Sequence, residues 1–209
     1  MARFSADEVD NYGGSGGHGF FSLKDDRDTA KVRFMYDGFA DVQGDSVHAI
    51  EIDGKKRYVN CIRNYKDPVD VCPFCAAKMP QYAKLFVPIY DIAEDTVKIW
   101  ERGKKFFGEM SSLCTHYASS EPLCSHIFEI ERIGKKGDQA TQYKIYDVDK
   151  DNTTLDDLPE LPEILGGFVL DKSAEEMEYF LKNGKFADGN SDAPIERRPA
   201  SNDIPRRRF

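Results

Sequence analysis

The chain has 209 residues, of which 40% are hydrophobic and 32% charged, a composition typical of a globular protein with polar segments. No apolar run approaches the roughly 18 residues of a membrane-spanning helix, and the first ten residues lack the hydrophobic stretch of a secretory signal. Five cysteines in such a chain favour metal ligands or free thiols over a disulfide framework, so we expect a reducing, cytoplasmic environment.

The formal net charge of −8 argues at first against a nucleic-acid ligand, but the charge is unevenly distributed. Residues 1–146 hold 20 Lys/Arg against 22 Asp/Glu, whereas residues 147–196 hold 4 against 14. The last thirteen residues hold five Arg against one Asp. A near-neutral body followed by an acidic segment is therefore concealed by the whole-chain charge.

The first strand-like pattern follows a Gly-rich spacer at residues 11–19. Residues 30–36 alternate, and every second side chain is large and apolar: Val32, Phe34 and Tyr36. This period of two predicts a β-strand with one buried face.

A β-hairpin is predicted around Asp53-Gly54, a dipeptide that favours tight two-residue turns. Residues 46–52 and 57–63, on either side of it, have the composition of strands. His48 and Cys61 lie at similar distances from this turn, so pairing of the two strands would place them side by side.

The most informative motif of the chain is H-x12-C-x10-C-x2-C. Its members are His48, Cys61, Cys72 and Cys75. Three thiols and one imidazole make a complete tetrahedral zinc shell, and a C-x2-C turn directs two thiolates at one ion. Because the protein supplies all four ligands, no position is left for water. The sequence therefore predicts a structural Zn²⁺ ion.

Two further thiol–imidazole pairs follow, Cys114 with His116 and Cys124 with His126. On a strand, residues i and i+2 share a face. The two pairs could therefore supply ligands to the same ion or form a second metal site. Neither pair forms a knuckle turn, which favours a reduced, partly buried loop region instead. The sequence leaves both interpretations open.

Further elements are predicted towards the C-terminus. Residues 76–84 favour one or two helical turns broken by Pro80, and Pro88 suggests that a strand at residues 85–92 is an edge strand or contains a bulge. The other predicted strands are residues 96–101, 126–133 and 142–148, and the predicted helices are residues 104–113 and 174–182.

Five or six short strands with one interposed helix predict a mainly β fold, a five-stranded OB-fold barrel with a zinc-stabilised subdomain and a disordered C-terminal tail. The predicted organisation is a flexible N-terminal arm at residues 1–19, the OB-fold with its zinc-binding insertion at 20–148, an acidic C-terminal region with a short helix at 149–185, and the tail at 186–209.

Catalysis at the zinc is not predicted. Zinc deaminases combine H-x-E with P-C-x-x-C, and the Glu moves protons at an activated water. Here Glu51 lies three residues after His48, Val71 stands where that motif has Pro, and the ligand Cys61 would close the metal to water. The chain also lacks P-loop and H-E-x-x-H motifs. The sequence therefore predicts that the protein is not an enzyme.

Basic and aromatic residues are interleaved along several predicted strands, a mixture typical of single-strand nucleic-acid binders. Such proteins stack bases on aromatic rings and track phosphates with Lys and Arg. Any one of these aromatic residues could instead pack in a core. The candidate contacts are Lys55, Lys56, Arg57, Tyr58, Arg63, Tyr82, Lys84, Phe86, Trp100, Arg102, Lys104, Lys105 and Phe106.

At these residues the chain resembles the zinc-containing single-stranded-DNA-binding proteins of T-even bacteriophages and their relatives in other phages. The resemblance rests on the order and spacing of the four zinc ligands and on residues 97–106, Val-Lys-Ile-Trp-Glu-Arg-Gly-Lys-Lys-Phe. Residues 20–26 and Val32-Arg33-Phe34 add to it, and Arg33 joins the candidate nucleic-acid contacts. The resemblance covers roughly residues 20–148.

This resemblance implies sequence-nonspecific binding of single-stranded DNA in phage DNA replication, recombination and repair, within the host cell cytoplasm. It also implies that the acidic C-terminal region recruits replication or recombination proteins. Two alternatives remain. One is a zinc-ribbon adaptor that joins proteins of the replication or transcription machinery, and the other is a metal-dependent nucleic-acid enzyme.

Overall fold

The computed structural model describes residues 19–187 except Ser120, Lys136 and Gln139. The predicted N-terminal arm, apart from Gly19, and the predicted tail from residue 188 onwards lie outside the described residues. Within this part of the chain the strands outnumber the helices, which confirms the mainly β class.

Eight strands and three α-helices occur among the described residues. The strands are β1 (Thr29–Phe34), β2 (Asp45–Ile52), β3 (Lys55–Asn60), β4 (Gln81–Asp91), β5 (Thr96–Gly103), β6 (His126–Ile133), β7 (Gln142–Lys150) and β8 (Val169–Leu170). The helices are α1 (Pro73–Ala76), α2 (Phe106–Tyr117) and α3 (Ala174–Asn183).

The chain forms two compact units. Of the described residues, 19–46 and 83–163 belong to the first unit, and 47–82 and 164–187 belong to the second. The second unit is therefore assembled from an internal segment and a C-terminal segment. The short helix predicted in the acidic region is present as α3, and it is part of this second unit.

The first unit is built on five antiparallel strands in the order β7-β6-β1-β4-β5. Val32 of β1 pairs with Asp91 on one side and with Phe128 on the other. Within the described residues no ladder joins β5 to β7. However, the rings of Trp100 on β5 and Tyr143 on β7 lie 5.2 Å apart. The sheet therefore curls enough for side chains from its two edges to meet.

The core of the first unit lies between this sheet and α2. Val32 and Phe34 are fully buried and pack in one cluster with Phe106 and Met110 of the helix. Leu113, one turn further along, is partly buried against the same cluster. This is the apolar stripe expected from the helical spacing of residues 104–113.

Pro88 does not mark an edge strand, the first of the two alternatives predicted from sequence. Its strand β4 pairs with β1 on one side and β5 on the other, where Pro88 lies opposite Ile99. The Pro88 carbonyl accepts a hydrogen bond from the Met35 N–H, at 3.1 Å. Met35 comes just after the end of β1, so Pro88 lies at the end of the ladder between β1 and β4. At that position no ladder hydrogen bond is lost because proline has no N–H.

The second unit contains the hairpin of β2 and β3, with β8 parallel to β3. Its core includes Val59 of β3, Phe74 of α1, and Met177 of α3, each fully buried. Two of the predicted zinc ligands, Cys72 and Cys75, belong to this same core.

Candidate metal centre

The hairpin that carries the first two ligands forms as predicted. Ile52 pairs with Lys55, which leaves Asp53 and Gly54 as a two-residue turn with φ angles of 51° and 73°. Two positive φ angles define the turn type that Asn-Gly and Asp-Gly favour, since its twist matches that of the flanking strands.

The register of this hairpin brings His48 and Cys61 together. His48 lies opposite Val59. Cys61 follows two residues after Val59, directly beyond the end of β3, so it continues on the same face. The confirmed hairpin thus explains how two residues separated by twelve others in the motif share one site.

The other two ligands lie at the start of α1. Cys72 is the residue before the helix, Pro73 is its first residue, and Cys75 is in its single turn. Proline suits the first helical position because its missing N–H would have no intrahelical partner there. The helix then ends at once. The N–H groups of Lys78 and Met79 bond to the carbonyls of Cys75 and Phe74, each at 2.9 Å.

Lys78 has a left-handed backbone, with φ of 59°. This pair of hydrogen bonds around a left-handed residue is a Schellman motif, which terminates helices. The helical turns predicted over residues 76–84 are therefore wrong: α1 ends at Ala76 and β4 begins at Gln81. Because the helix ends after a single turn, the Cys72 and Cys75 thiols lie close together.

The four side chains converge on one point. Their ligand atoms all lie within 4.8 Å of one another. The Nε2 atom of His48 is 3.6 Å from the Cys72 Sγ and 3.4 Å from the Cys75 Sγ. The Cys61 and Cys75 sulfurs are 3.6 Å apart.

These separations match the edges of a metal tetrahedron. With usual zinc bond lengths, two sulfur ligands lie about 3.8 Å apart, and a sulfur and a nitrogen lie about 3.6 Å apart. The cluster of His48, Cys61, Cys72 and Cys75 could therefore hold a metal ion with little rearrangement.

The imidazole of His48 is fixed in the form that binds metals. Its Nδ1 lies 3.1 Å from the Pro80 carbonyl oxygen, which can only accept a hydrogen bond, so Nδ1 carries the proton. The Nε2 lone pair then points at the sulfurs. Burial lowers the pKa of His48, which keeps the ring neutral at pH 7. Such a second hydrogen bond is typical of metal-binding histidines.

The Cys75 thiol lies in a less favourable electrostatic environment. Burial raises the pKa of Cys75 to about 11, although the neighbouring Arg63 guanidinium acts in the opposite direction. At neutral pH, a thiol with a pKa this high keeps its proton unless a metal cation displaces that proton. Metal binding here would therefore release protons and become weaker as the pH falls.

Further residues surround the ligands, and local sequence patterns did not predict them. The Gln81 side-chain amide donates to the Cys61 sulfur at 3.3 Å, and the Arg63 guanidinium donates to the Gln81 Oε1 at 3.2 Å. The Met177 sulfur of α3 lies 4.0 Å from that of Cys72. Met177 lies in the helix predicted at residues 174–182, but no local pattern indicated its contact with Cys72.

The second thiol–imidazole pattern does not form a metal cluster. Cys114 lies on α2, whereas Cys124 precedes β6 and its sulfur lies 3.7 Å from the Thr153 carbonyl oxygen. The imidazole of His126 lies 3.2 Å from an Asp147 carboxylate oxygen. Among the described residues, only the His48 cluster brings three or more metal-binding side chains together.

Several of the predicted nucleic-acid contacts lie on the hairpin that carries His48. Lys55, Lys56 and Arg57 of β3 are exposed, and Tyr58 is buried. The Lys56 ammonium lies 5.0 Å from the Tyr58 ring centre and 5.9 Å from that of Tyr82. Tyr82 is 41% exposed, so its ring is partly open to solvent. The hairpin thus presents cations beside an accessible aromatic ring.

In the first unit, most of the predicted aromatic contacts are part of the core. Phe86, Trp100 and Phe106 are each at most 4% exposed. The Arg102 guanidinium packs against the rings of Trp100 and Tyr143, 4.6 Å from each ring centre. In this arrangement these rings pack against protein and offer little face to a base.

The cationic candidates of the first unit differ in exposure. Arg33 is buried and ion-paired with Asp151, and Lys84 forms an ion pair with Glu101. Lys104 and Lys105 are exposed just before α2. With Arg102, three of the five predicted cations are therefore held in contacts within the unit.

No helix among the described residues combines the length and apolar character needed to cross a membrane. A scan against models of protein families finds no match to the chain, and a search of curated proteins finds none either. The phage resemblance therefore stays a prediction, and the converging His/Cys3 cluster is the feature on which a functional proposal has to be built.

Proposed function

We propose that this protein binds single-stranded DNA without sequence preference and uses a structural Zn²⁺ ion to hold its binding hairpin. The observation that carries the proposal is the position of Lys55, Lys56 and Arg57. These exposed cations lie on the strand that the metal cluster anchors. Phosphates would pair with them, and a base would stack on the partly open ring of Tyr82.

Zinc is the metal that this set of ligands favours. Three thiolates and one imidazole in a tetrahedral arrangement suit Zn²⁺, whereas Mg²⁺ and Ca²⁺ prefer oxygen ligands. Four protein ligands leave no open position for a reacting water. The proposal therefore assigns the ion a structural role and the protein no catalytic activity.

We propose further that the first unit is an OB-fold barrel. Its five antiparallel strands, one helix and the contact between its edge side chains Trp100 and Tyr143 support this assignment. Lys104 and Lys105 would supply two exposed cations on this unit. By the phage resemblance, the protein would act in DNA replication, recombination and repair, with its C-terminal residues recruiting partner proteins.

The binding function is tested by fluorescence titration with oligo-dT, the matching single-stranded RNA and duplex DNA at two salt concentrations. We expect the tightest binding to single-stranded DNA, with affinity that falls as salt rises because phosphate-bound cations are released. Absence of oligo-dT binding at low salt, or stronger binding to duplex, would contradict the proposal. Binding of a replication protein without any oligonucleotide shift would favour the adaptor alternative.

The surface is tested with Tyr82→Ala and with Lys56→Gln. Loss of a stacked base is expected to weaken oligo-dT binding by about 1–3 kcal/mol, largely independently of salt. Loss of one phosphate contact is expected to reduce the steepness of the salt dependence by about one ion. Lys182→Gln, an exposed cation on α3, is the matched control. Equal effects of all three substitutions would exclude a specific binding surface on the hairpin.

The metal is tested with Cys72→Ser. The purified chain is expected to contain one zinc ion, and the variant is expected to lose it together with at least about 5 °C of melting temperature. Cys114→Ala, which removes a buried thiol of the first unit, should leave the metal content unchanged. Unchanged zinc content and melting temperature in Cys72→Ser would refute the structural site.

A further inference from the structure

Arg63 and Gln81 make a connected set of contacts next to the metal cluster. One terminal nitrogen of the guanidinium donates to the Gln81 Oε1 at 3.2 Å, and the other donates to the Asp67 carbonyl at 3.3 Å. The Gln81 amide nitrogen donates in turn to the Cys61 sulfur at 3.3 Å.

The direction of this chain of hydrogen bonds is fixed by chemistry. A guanidinium only donates, so the atom of Gln81 that faces Arg63 must be the amide oxygen. The amide NH2 group then has to face Cys61. Arg63 therefore orients the Gln81 amide so that an N–H group, and not an oxygen, meets the sulfur.

Arg63 also lies beside a second ligand. Its guanidinium makes a side-chain contact with the Cys75 thiol. The Nε atom of Arg63 is buried and has no hydrogen-bond partner among the described residues. A guanidinium in this position is held by Asp67 and Gln81 against the cluster.

The charge of the site needs such a cation. A divalent ion with three thiolates and one neutral imidazole has a net charge of −1. The cluster is largely buried, and an uncompensated charge in such surroundings is costly. Arg63 supplies a single positive charge next to Cys75 and, through Gln81, a directed N–H to Cys61.

We infer that Arg63 and Gln81 are positioning residues of the metal site, which orient and charge-balance the Cys61 and Cys75 thiolates. Arg63 then acts on the metal and not on phosphate, unlike the role expected from sequence. The inference rests on the metal-binding half of the proposed function and is independent of DNA binding.

The test replaces zinc by Co²⁺, whose thiolate charge-transfer band reports directly on the metal–sulfur bonds. Arg63→Met removes the cation, and Arg63→Lys keeps the charge but not the planar fork that reaches two acceptors. Gln81→Glu keeps an oxygen that accepts the hydrogen bond from Arg63, but it removes the N–H group that donates to the Cys61 sulfur. Lys66→Met, an exposed cation three residues from Arg63, is the control.

We expect Arg63→Met to weaken Co²⁺ and Zn²⁺ binding, measured by competition with a chelator, by about 10–100-fold. Arg63→Lys and Gln81→Glu should each weaken it by about tenfold and shift the charge-transfer band. Lys66→Met should match the unsubstituted chain. Circular dichroism at saturating zinc verifies that each variant is folded, and the near-isosteric Arg63→Lys and Gln81→Glu variants retain the test if Arg63→Met does not fold.

Metal affinity within about twofold of the unsubstituted chain and an unshifted band in all three variants would overturn the inference. So would weaker oligo-dT binding by zinc-saturated Arg63→Met with unchanged metal affinity, because that result assigns Arg63 to phosphate. Failure of the unsubstituted chain to bind Co²⁺ or Zn²⁺ would refute the metal site itself, and this inference with it.

Discussion

At the scale of single residues, Arg33 is a buried cation with a full set of partners. Its guanidinium donates to the carbonyls of Cys124 and Ser125, each at 3.0 Å, and forms a two-pronged pair with Asp151 at 3.1 and 2.6 Å. Two parallel bonds of this kind are the strongest form of arginine–carboxylate pairing. The pair ties the residue just after β7 to β1, 118 positions earlier.

This pair predicts acid sensitivity. The bonds from Arg33 and Thr153 lower the pKa of Asp151 from 3.8 to about 2. Because the folded-state pKa is below the unfolded one, the stabilisation is complete above about pH 4 and is lost as the pH falls towards 2. Asp151→Asn should lower the free energy of unfolding by about 1–2 kcal/mol at pH 7, since half of the Asp151 side chain is exposed to solvent.

The measurement is urea unfolding of both proteins at several pH values between 2 and 7. The two stability curves should converge at the acid end, where Asp151 itself becomes protonated. Asp156→Asn, an exposed carboxylate five residues away, serves as the control. A constant difference between the curves over the whole pH range would show that the pair does not titrate as described.

The sequence predicted this residue only in part. Alternation over residues 30–36 correctly placed Arg33 on the face opposite Val32 and Phe34. That face was expected to be accessible, whereas Arg33 is 7% exposed. Asp151 and the segment before β6 bury the Arg33 side chain. Contacts between residues so far apart in the chain leave no local pattern in the sequence. The same limit hid the contact of Gln81 with Cys61.

At the scale of elements, the short helix α1 stores backbone strain in its terminating residue. Lys78 occupies the left-handed region at a cost of about 1 kcal/mol for a residue with a side chain, whereas glycine has no such cost. Lys78→Gly should therefore raise the free energy of unfolding by about 0.5–1 kcal/mol. Thermal and urea unfolding of the zinc-loaded protein measure this change.

The neighbouring Ala77 provides a matched comparison. Its φ of −75° suits any residue, so Ala77→Gly only adds freedom to the unfolded chain and should lower stability by about 0.5–1 kcal/mol. Opposite signs for the two glycine substitutions are the expected result. A loss of stability in both variants would mean that the left-handed turn at Lys78 is not strained.

Elements with strong local signals were predictable, and their partners were not. The Asp53-Gly54 turn predicted the hairpin because its backbone angles are those this dipeptide prefers. In contrast, β8 has two residues and exists through its pairing with β3, which no local pattern encodes. The packing of α3 on the C-x2-C turn was unpredicted for the same reason.

At the scale of the whole molecule, the proposed metal ion is expected to stabilise one unit more than the other. The first unit has a large apolar core of its own, whereas the smaller core of the second contains the ligands Cys72 and Cys75. Removal of the metal by a chelator should therefore destabilise the second unit selectively. Amide protection in β2, β3 and α3 is expected to fall by an order of magnitude or more, with little change in β1 and β6.

Hydrogen exchange with mass spectrometry, with and without the chelator, measures this difference for each segment. Re-addition of zinc should restore the protection, which separates metal loss from irreversible damage. The Cys72→Ser variant should resemble the chelated protein without any chelator present. A uniform loss of protection across both units would show that they unfold together.

The interleaved path of the chain through the two units has a consequence for protein synthesis. Cys75, the last of the proposed metal ligands, leaves the ribosome about 100 residues before Met177, which packs on Cys72. At 5–20 residues per second, that interval lasts roughly 5–20 seconds. During translation, the thiols therefore exist without their cover from α3. A metal ion captured in that interval would hold the hairpin and the C-x2-C turn together until the end of the chain arrives.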